Sequence, residues 1–547
     1  MSPRLAPLAL AALAALAAAA HAGPALSVDA AAGIHAISND IYGMNYAAEA
    51  LAQELKLPVR RWGGNSTTRY NWQIDTTNTG SDWYFENIPN PLPVGRTLPD
   101  GSAADQFVEQ DRRTGTKTLM TLPTSGWVAK RRPPGDNHPY DCGFKVSAYG
   151  AQQSTDPWDA DCGDGVRPDG SPVTGNASSD TSLAADPAFV QGWISHLVGR
   201  YGPAQAGGVA FYELDNEPEL WSSTHRDVRP QHLGYDELVA RAQAYAPAVK
   251  AIDPGAKVIG PSSWGWTAYF WSDLDAAPGG AWWNDPKDRE AHGNVPLAEW
   301  YLQQMKAWEQ AHGQRILDYV DEHFYPQGNG VFAGATDPAT DALRLRSTRS
   351  LWDPTYVDES WIADTIQLIP RMRGWVAADY PGTRTSISEY NFGALGDING
   401  ALAQADALGI FGREQLDMAT LWSPPASGDP GAFAFRMYLN VDGQGGRFGN
   451  SSVSATSADP SVVSVYAARR GAQGALTVMA INKTGSTQAS TLTLRHFAAG
   501  KKAKVWRYAP PTLSAIQHPA AVPVKNGAIQ ASLPANSITL YVVPVAP

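Results

Sequence analysis

Residues 207–221 read GGVAFYELDNEPELW. Gly208 opens the run 208–218, its first half is apolar and aromatic, and carboxylates at Glu213, Asp215 and Glu217 follow before Pro218 ends it. Such a run reads as a strand whose end carries polar chemistry. An amphipathic helical pattern precedes it at 187–201 and another follows at 235–252, with apolar residues at i, i+3 and i+4. A strand set between two helices is the repeating unit of an α/β fold. The unit recurs along the chain. Further strands are predicted at 41–45, 58–64, 117–123, 256–261, 317–326, 384–392 and 418–424, and further helices at 297–312, 358–377 and 401–414. Eight strand–helix units predict a (β/α)8 TIM-like barrel over an open doubly wound sheet. No Gly-rich phosphate fingerprint follows any strand, which argues against a nucleotide site. Residues 124–183, between the third strand and its helix, form an insertion on the C-terminal face.

After residue 440 helices give way to short strands at 462–467, 475–482, 489–494, 503–508, 528–533 and 538–545. These predict a small antiparallel β-sandwich, which the early run 25–37 is expected to join. The division is therefore 1–22 signal peptide, 23–39 N-terminal strand segment of the sandwich, 40–440 barrel and 441–547 sandwich. With no repeat or low-complexity linker, a separately tethered module is not expected.

The 547 residues carry a net charge of −11 and no basic tract, so neither nucleic acid nor an anionic membrane is an expected partner. A hydrophobic content of 43% excludes disorder, and 51 Gly with 41 Pro exclude a coiled coil. Nineteen Trp give the chain the means to stack on flat ligands. Arg4, a Leu/Ala run and Ala20-His21-Ala22 have the form of a secretory signal, and no later stretch approaches 18 apolar residues. A secreted monomer, extracellular or periplasmic, is expected. In that compartment the two cysteines, Cys142 and Cys162, are expected to close a loop as a disulfide.

Barrel chemistry sits where strands end on the C-terminal face. The fourth strand ends at Glu217 and the seventh, SISEYN over 386–391, at Glu389. One strand-end Glu is ordinarily a solvated or salt-bridged rim residue. Two on strands facing each other across the barrel can converge, and two carboxyls about 5–5.5 Å apart are what a retaining glycosidase needs. Glu213 and Asp215 share the side of Glu217 but lie deeper, as supporting carboxylates. Glu219, past Pro218, is expected on the rim.

The run ELDNEPELW (213–221) closely resembles the acid/base motif of glycoside hydrolase family 44. RWGGNSTTRYNW (61–72), GPSSWGW (260–266), HFYPQ (323–327) and SEYN (388–391) resemble other strand-end motifs of that family, in order along the chain. The resemblance implies a secreted endo-β-1,4-glucanase acting on cellulose-like glucans and xyloglucan with retention. It implies Glu217 as acid/base and Glu389 as nucleophile. It also implies Asn216 on the sugar 2-hydroxyl, Arg61 near the nucleophile, Trp422 under the sugar, and His323 and Tyr325 at the sixth strand end, either of which could face the site. Trp62 joins them as a candidate for stacking on substrate. No cofactor is required and no metal is assigned to the site, although the Asp-rich loop 156–164 offers the hard oxygen ligands calcium prefers. The alternatives are another retaining hydrolase (an arabinofuranosidase, xylanase or mannanase) and a non-catalytic carbohydrate-binding protein. The second has no use for a carboxylate pair.

Overall fold

The computed structural model describes residues 21–132, 141–277, 283–471 and 474–547; all but the last two residues of the expected signal peptide 1–22 lie outside them. Eight parallel strands close into a barrel: β1 Gly43–Asn45, β2 Val59–Trp62, β3 Lys117–Leu122, β4 Phe211–Leu214, β5 Lys257–Ser263, β6 Tyr319–Glu322, β7 Arg384–Tyr390 and β8 Met418–Leu421. Their order around the barrel is their order in the chain, with β8 pairing β1.

Alternation along each strand determines what fills the barrel. Val59, Leu119, Phe211, Ile259, Tyr319 and Met418 form one closed apolar layer. Two residues further on, the interior becomes polar and buried at Arg61, Thr121, Glu213, Asp321 and Thr420. The floor is packed oil and the mouth is charged.

The helix Pro187–Tyr201 begins as its sequence dictates. The Asp186 carboxylate accepts from the Phe189 amide and Pro187 occupies the first turn. The helix expected over 358–377 instead spans Leu368–Asp379. The Asp358 carboxylate accepts from the Ser360 amide and from Ser350 Oγ, local bonds that compete with a helix over the first ten residues.

The second domain is a sandwich of two sheets joined through the strand Ser451–Ser457, which the sequence reading missed along with Thr512–Gln517. Ser451–Val453 pair with Ala467–Arg469 in one sheet, and Ser454–Ser457 pair with Leu26–Asp29 in the other. The N-terminal strand therefore joins the sandwich as expected, but it runs parallel to Gln488–Arg495, as does the short strand His21–Ala22, two parallel pairings in an otherwise antiparallel domain. Gln488–Arg495 alternates buried and exposed positions, whereas Leu476–Asn482 and Ser537–Val543 are buried at every position. The reason is that their sheet has two covered faces. Val478, Tyr541 and Val543 point into the sandwich, while Met479, Ile481, Ile538 and Leu540 belong to the barrel-side core.

The helix Ile398–Arg413 lies against that sheet, and Gly409 meets the Tyr466 ring there, where a Cβ would lie 2.3 Å from Cδ2. At the same junction Asp406 accepts from Lys483 Nζ at 2.7 Å, Tyr466 Oη at 2.7 Å and Thr348 Oγ1 at 2.7 Å, and both charged side chains are almost fully buried. Lys483→Met removes the cation and leaves the carboxylate buried among neutral donors. It is expected to cost about 3–5 kcal/mol, read as a lower urea midpoint. An unchanged midpoint would show that the junction does not depend on this pair.

Candidate active site

At the mouth of the barrel Arg61 is fully buried and uses three of its nitrogens. Nε donates to Glu213 Oε2 at 2.7 Å, Nη1 to Glu389 Oε1 at 2.6 Å and Asn45 Oδ1 at 3.0 Å, and Nη2 to Asn216 Oδ1 at 2.7 Å. Residues from β1, β2 and β4 and from the end of β7 are thereby tied to one guanidinium. Burial opposes its charge, and the carboxylates of Glu213 and Glu389 outweigh burial and hold it protonated. The room for this comes from Gly63, where a Cβ would lie 2.4 Å from Arg61 Cζ.

Glu389 reaches the interior through a break in β7. The register shifts between Ile387 and Tyr390. Ile387 and Tyr390 both face the outer core, with Gln404 Nε2 donating to Tyr390 Oη, so Ser388 and Glu389 both turn inward. Glu389 Oε2 then accepts from Tyr325 Oη at 2.8 Å.

Glu217 sits just past β4 with φ 46°, ψ 56°, a left-handed conformation that a β-carbon disfavours. Its amide donates to the Ser262 carbonyl at 3.0 Å, which pins the turn against β5. Glu217 Oε1 lies 2.9 Å from His323 Nδ1, and His323 Nε2 lies 3.0 Å from Ser388 Oγ, whose hydroxyl donates to Asp321 Oδ2 at 2.5 Å. Burial works against a charged His323. The Glu389 charge and the hydrogen bond to Glu217 outweigh it and push its pKa up to about 9. The imidazolium therefore donates at both nitrogens, to Glu217 and to Ser388. Burial pushes the Glu217 carboxyl up, the bond and charge of His323 pull it back, and the Glu389 charge pushes it up again. A carboxylate oxygen of Glu217, one of Glu389 and a ring nitrogen of His323 all lie within 4.8 Å of one another.

These distances suit a cation as well as a proton relay. The same holds for Glu213–Asp321–His323 and for Asp100–Asp105–His196. In the first of these two sets Arg61 already bonds Glu213, and in the second Arg200 bridges Asp100 and Asp105, so each holds a protein cation.

The glycoside hydrolase family 44 sequence model matches residues 76–328. Endoglucanase A of Paenibacillus lautus is 34% identical over 453 residues, covering 79% of this chain; the chain spans 59% of that protein's length. Among solved structures, CelM2, described as a bifunctional glucanase-xylanase from a metagenome library, superposes with a TM-score of 0.92 at 42% identity. That match covers 96% of this chain and all of CelM2. A Paenibacillus polymyxa xyloglucanase from family 44, solved with xyloglucan, superposes with a TM-score of 0.79 at 31% identity over 96% of this chain and all of its own. The chain belongs to glycoside hydrolase family 44.

Seven of the eight site residues marked in the sequence meet in this family 44 barrel mouth: Arg61, Asn216, Glu217, His323, Tyr325, Glu389 and Trp422. His323 and Tyr325 both face it, one on each glutamate. Trp422 is half-buried above Gly64, whose φ of +92° and approach to Trp422 Cη2 exclude a side chain. Trp62 is a correction. Alternation on β2 turns it outward, where it is buried against Tyr46, Tyr70 and Phe107 with ring centroids 5.5–5.7 Å away. It supports Tyr46, whose partly exposed ring meets Trp422 edge-on and whose hydroxyl donates to the Gly63 carbonyl.

Glu219 is a second correction. The turn Pro218–Leu220 tucks it behind β5, 3% exposed, where it accepts from Ser263 Oγ and burial pushes its pKa up to about 7. Tyr46, Ser388 and Asp321 were missed. For the last, the signal was available, since it stands two residues beyond the apolar Tyr319 of the barrel floor.

Because the His323 pKa is raised in the folded state, its contribution to stability is complete below the unfolded value of about 6.5 and is lost as pH rises through about 9. The melting temperature of His323→Gln relative to wild type is expected to be lowest near pH 6 and to recover toward pH 10. A difference that does not vary with pH would contradict a charged His323.

Proposed function

We propose that the chain is a secreted, retaining endo-β-1,4-glucanase that cleaves internal bonds of cellulose-like glucans and xyloglucan. The observation that carries this reading is the approach of the Glu217 and Glu389 oxygens within 4.8 Å, which suits a nucleophile beside an acid and is too short for a water-mediated inverting pair. The names of the relatives, an endoglucanase, a glucanase-xylanase and a xyloglucanase, support the substrate class. The glucanase-xylanase also favours xylan as a second substrate.

Glu389, held by Arg61 and Tyr325, attacks the anomeric carbon. Glu217 protonates the departing glycosidic oxygen. Because His323 donates to Oε1, the acid proton of Glu217 belongs on Oε2. Once Glu389 is esterified its negative charge is gone, and Glu217 with a lower pKa takes a proton from water to release the sugar. Asn216, fixed through Oδ1 by Arg61, offers Nδ2 to the sugar 2-hydroxyl, and Trp422 forms a floor for the ring. No helix among the described residues is long and apolar enough to cross a membrane. A monomer with polysaccharide as its partner and no need of a cofactor completes the reading.

Glu389→Gln is expected to abolish hydrolysis of soluble β-glucan, and Glu217→Gln to slow it by about 10²–10⁴-fold. NMR of the first product should show the β-anomer. Near-wild-type turnover in Glu389→Gln, or an α-anomer formed first, would overturn the assignment.

The calcium reading attaches to the insertion. Glu86 is fully buried beside Asp156, and burial together with the charge of Asp156 and a hydrogen bond to it pushes its pKa up to about 9. A hard cation held by Glu86 and the 156–164 loop would offset that repulsion. Chelation is then expected to lower the melting temperature and added calcium to restore it; no response to either removes the calcium assignment.

A further inference from the structure

Two indoles outside the catalytic mouth meet on the surface. Trp83, on the loop after β2, and Trp158, in the insertion after β3, have ring centroids 5.6 Å apart at 35°, and are 38% and 65% exposed. Large apolar rings left in water are held there by rigid chain on both sides.

Below Trp83, the non-glycine residues Tyr84 and Phe85 take φ of 45° and 55° in succession. The turn is kept by the Phe85 amide donating to the Gly80 carbonyl at 2.8 Å and by Thr79 Oγ1 donating to the Trp83 carbonyl at 2.5 Å. Phe85 then buries its ring against Phe144, 4.8 Å away, in a small core that also anchors the insertion. Around Trp158, the Asp156 amide donates to the Cys162 carbonyl and the Cys162 amide to the Asp159 carbonyl, and Cys162 is bonded to Cys142. The disulfide thus closes the loop that carries this indole.

The pair is linked to the catalytic residues by polar side chains. Asn216 Nδ2 donates to Asn65 Oδ1 at 3.0 Å, and Asn65 Nδ2 donates to Asp82 Oδ2 at 3.0 Å, next to Trp83. Amide and carboxylate groups of this kind meet hydroxyls, while indole faces meet the C–H faces of a pyranose.

We propose that Trp83 and Trp158 form a second sugar-stacking subsite that takes the pyranose faces of a β-1,4-glucan chain extending from the catalytic mouth. The proposal rests on the glucanase reading above and adds where a long chain is gripped. It also gives the disulfide a role in binding, because the staple sets the position of one of the two rings.

The test uses the full chain carrying Glu389→Gln, so that oligosaccharides bind without being cut, and titrates cellohexaose and cellotriose by calorimetry. Trp158→Ala and Trp83→Ala in that background are expected to raise the cellohexaose Kd about tenfold and the cellotriose Kd by much less. Cellohexaose should shift the tryptophan emission of the parent to shorter wavelength, and the double variant should lose most of that shift. Melting temperatures equal to the parent would show that both variants are folded. If the parent prefers the long chain and both variants bind it within twofold of the parent, the subsite is overturned and the glucanase reading stands. If the parent binds neither oligosaccharide, both fall.

Discussion

A guanidinium with no access to water is tolerable only when charge and hydrogen bonds replace the hydration it loses. Arg61 meets that condition through two carboxylates and two amide oxygens, and these partners are held on three segments of the barrel mouth. The geometry therefore runs in both directions. Arg61 orients Glu389 and Asn216, and these groups are what make its burial affordable. Gly63 leaves the volume, Glu213 supplies the second negative charge from below, and Thr121 donates to Glu213 from the neighbouring strand.

The same constraint organises what lies around it. The apolar layer of Val59, Leu119, Phe211, Ile259, Tyr319 and Met418 seals the barrel from beneath, so the charges above it work in a water-poor setting where pairs are strong and orphans are costly. His323 answers that setting on the Glu217 side as Arg61 does on the Glu389 side. Each glutamate thus has its own cation, and each cation is oriented by a further partner, Glu213 for Arg61 and the Ser388–Asp321 pair for His323. Farther out, the sandwich contributes rigidity. Its inner sheet lies on the helix Ile398–Arg413, which follows β7, through the buried Asp406–Lys483 contact.

Much of the fold was legible because barrel strands and helices carry local signals: apolar runs ended by Gly or Pro, and apolar residues at helical spacing. All eight strands and the helices over 187–201, 235–252 and 297–312 followed from them. The exceptions have local causes. Asp358 draws its own neighbours into a turn, and the Ser-rich strand Ser451–Ser457 lacks an apolar alternation because it passes between two sheets. In the site, strand-end carboxylates stood out as residue types, yet Trp62 and Trp422 looked alike in sequence and lie on opposite faces of their strands. Glu219 looked exposed because nothing nearby in the chain reveals that a tight turn carries it behind β5.

By itself the sequence determined which residues can do chemistry and in what order the strands present them, since both depend on residue type and on periods of 2 and 3.6. Tertiary structure alone decided which of them meet. The inward turn of Glu389 depends on a register break in β7, and the pairing of Glu217 with His323 depends on strands 106 residues apart. The nearness of Trp83 to Trp158 depends on a disulfide-closed loop packed against another. Those are distances between segments remote in the chain, set by packing and closure of the barrel, and no local pattern carries them.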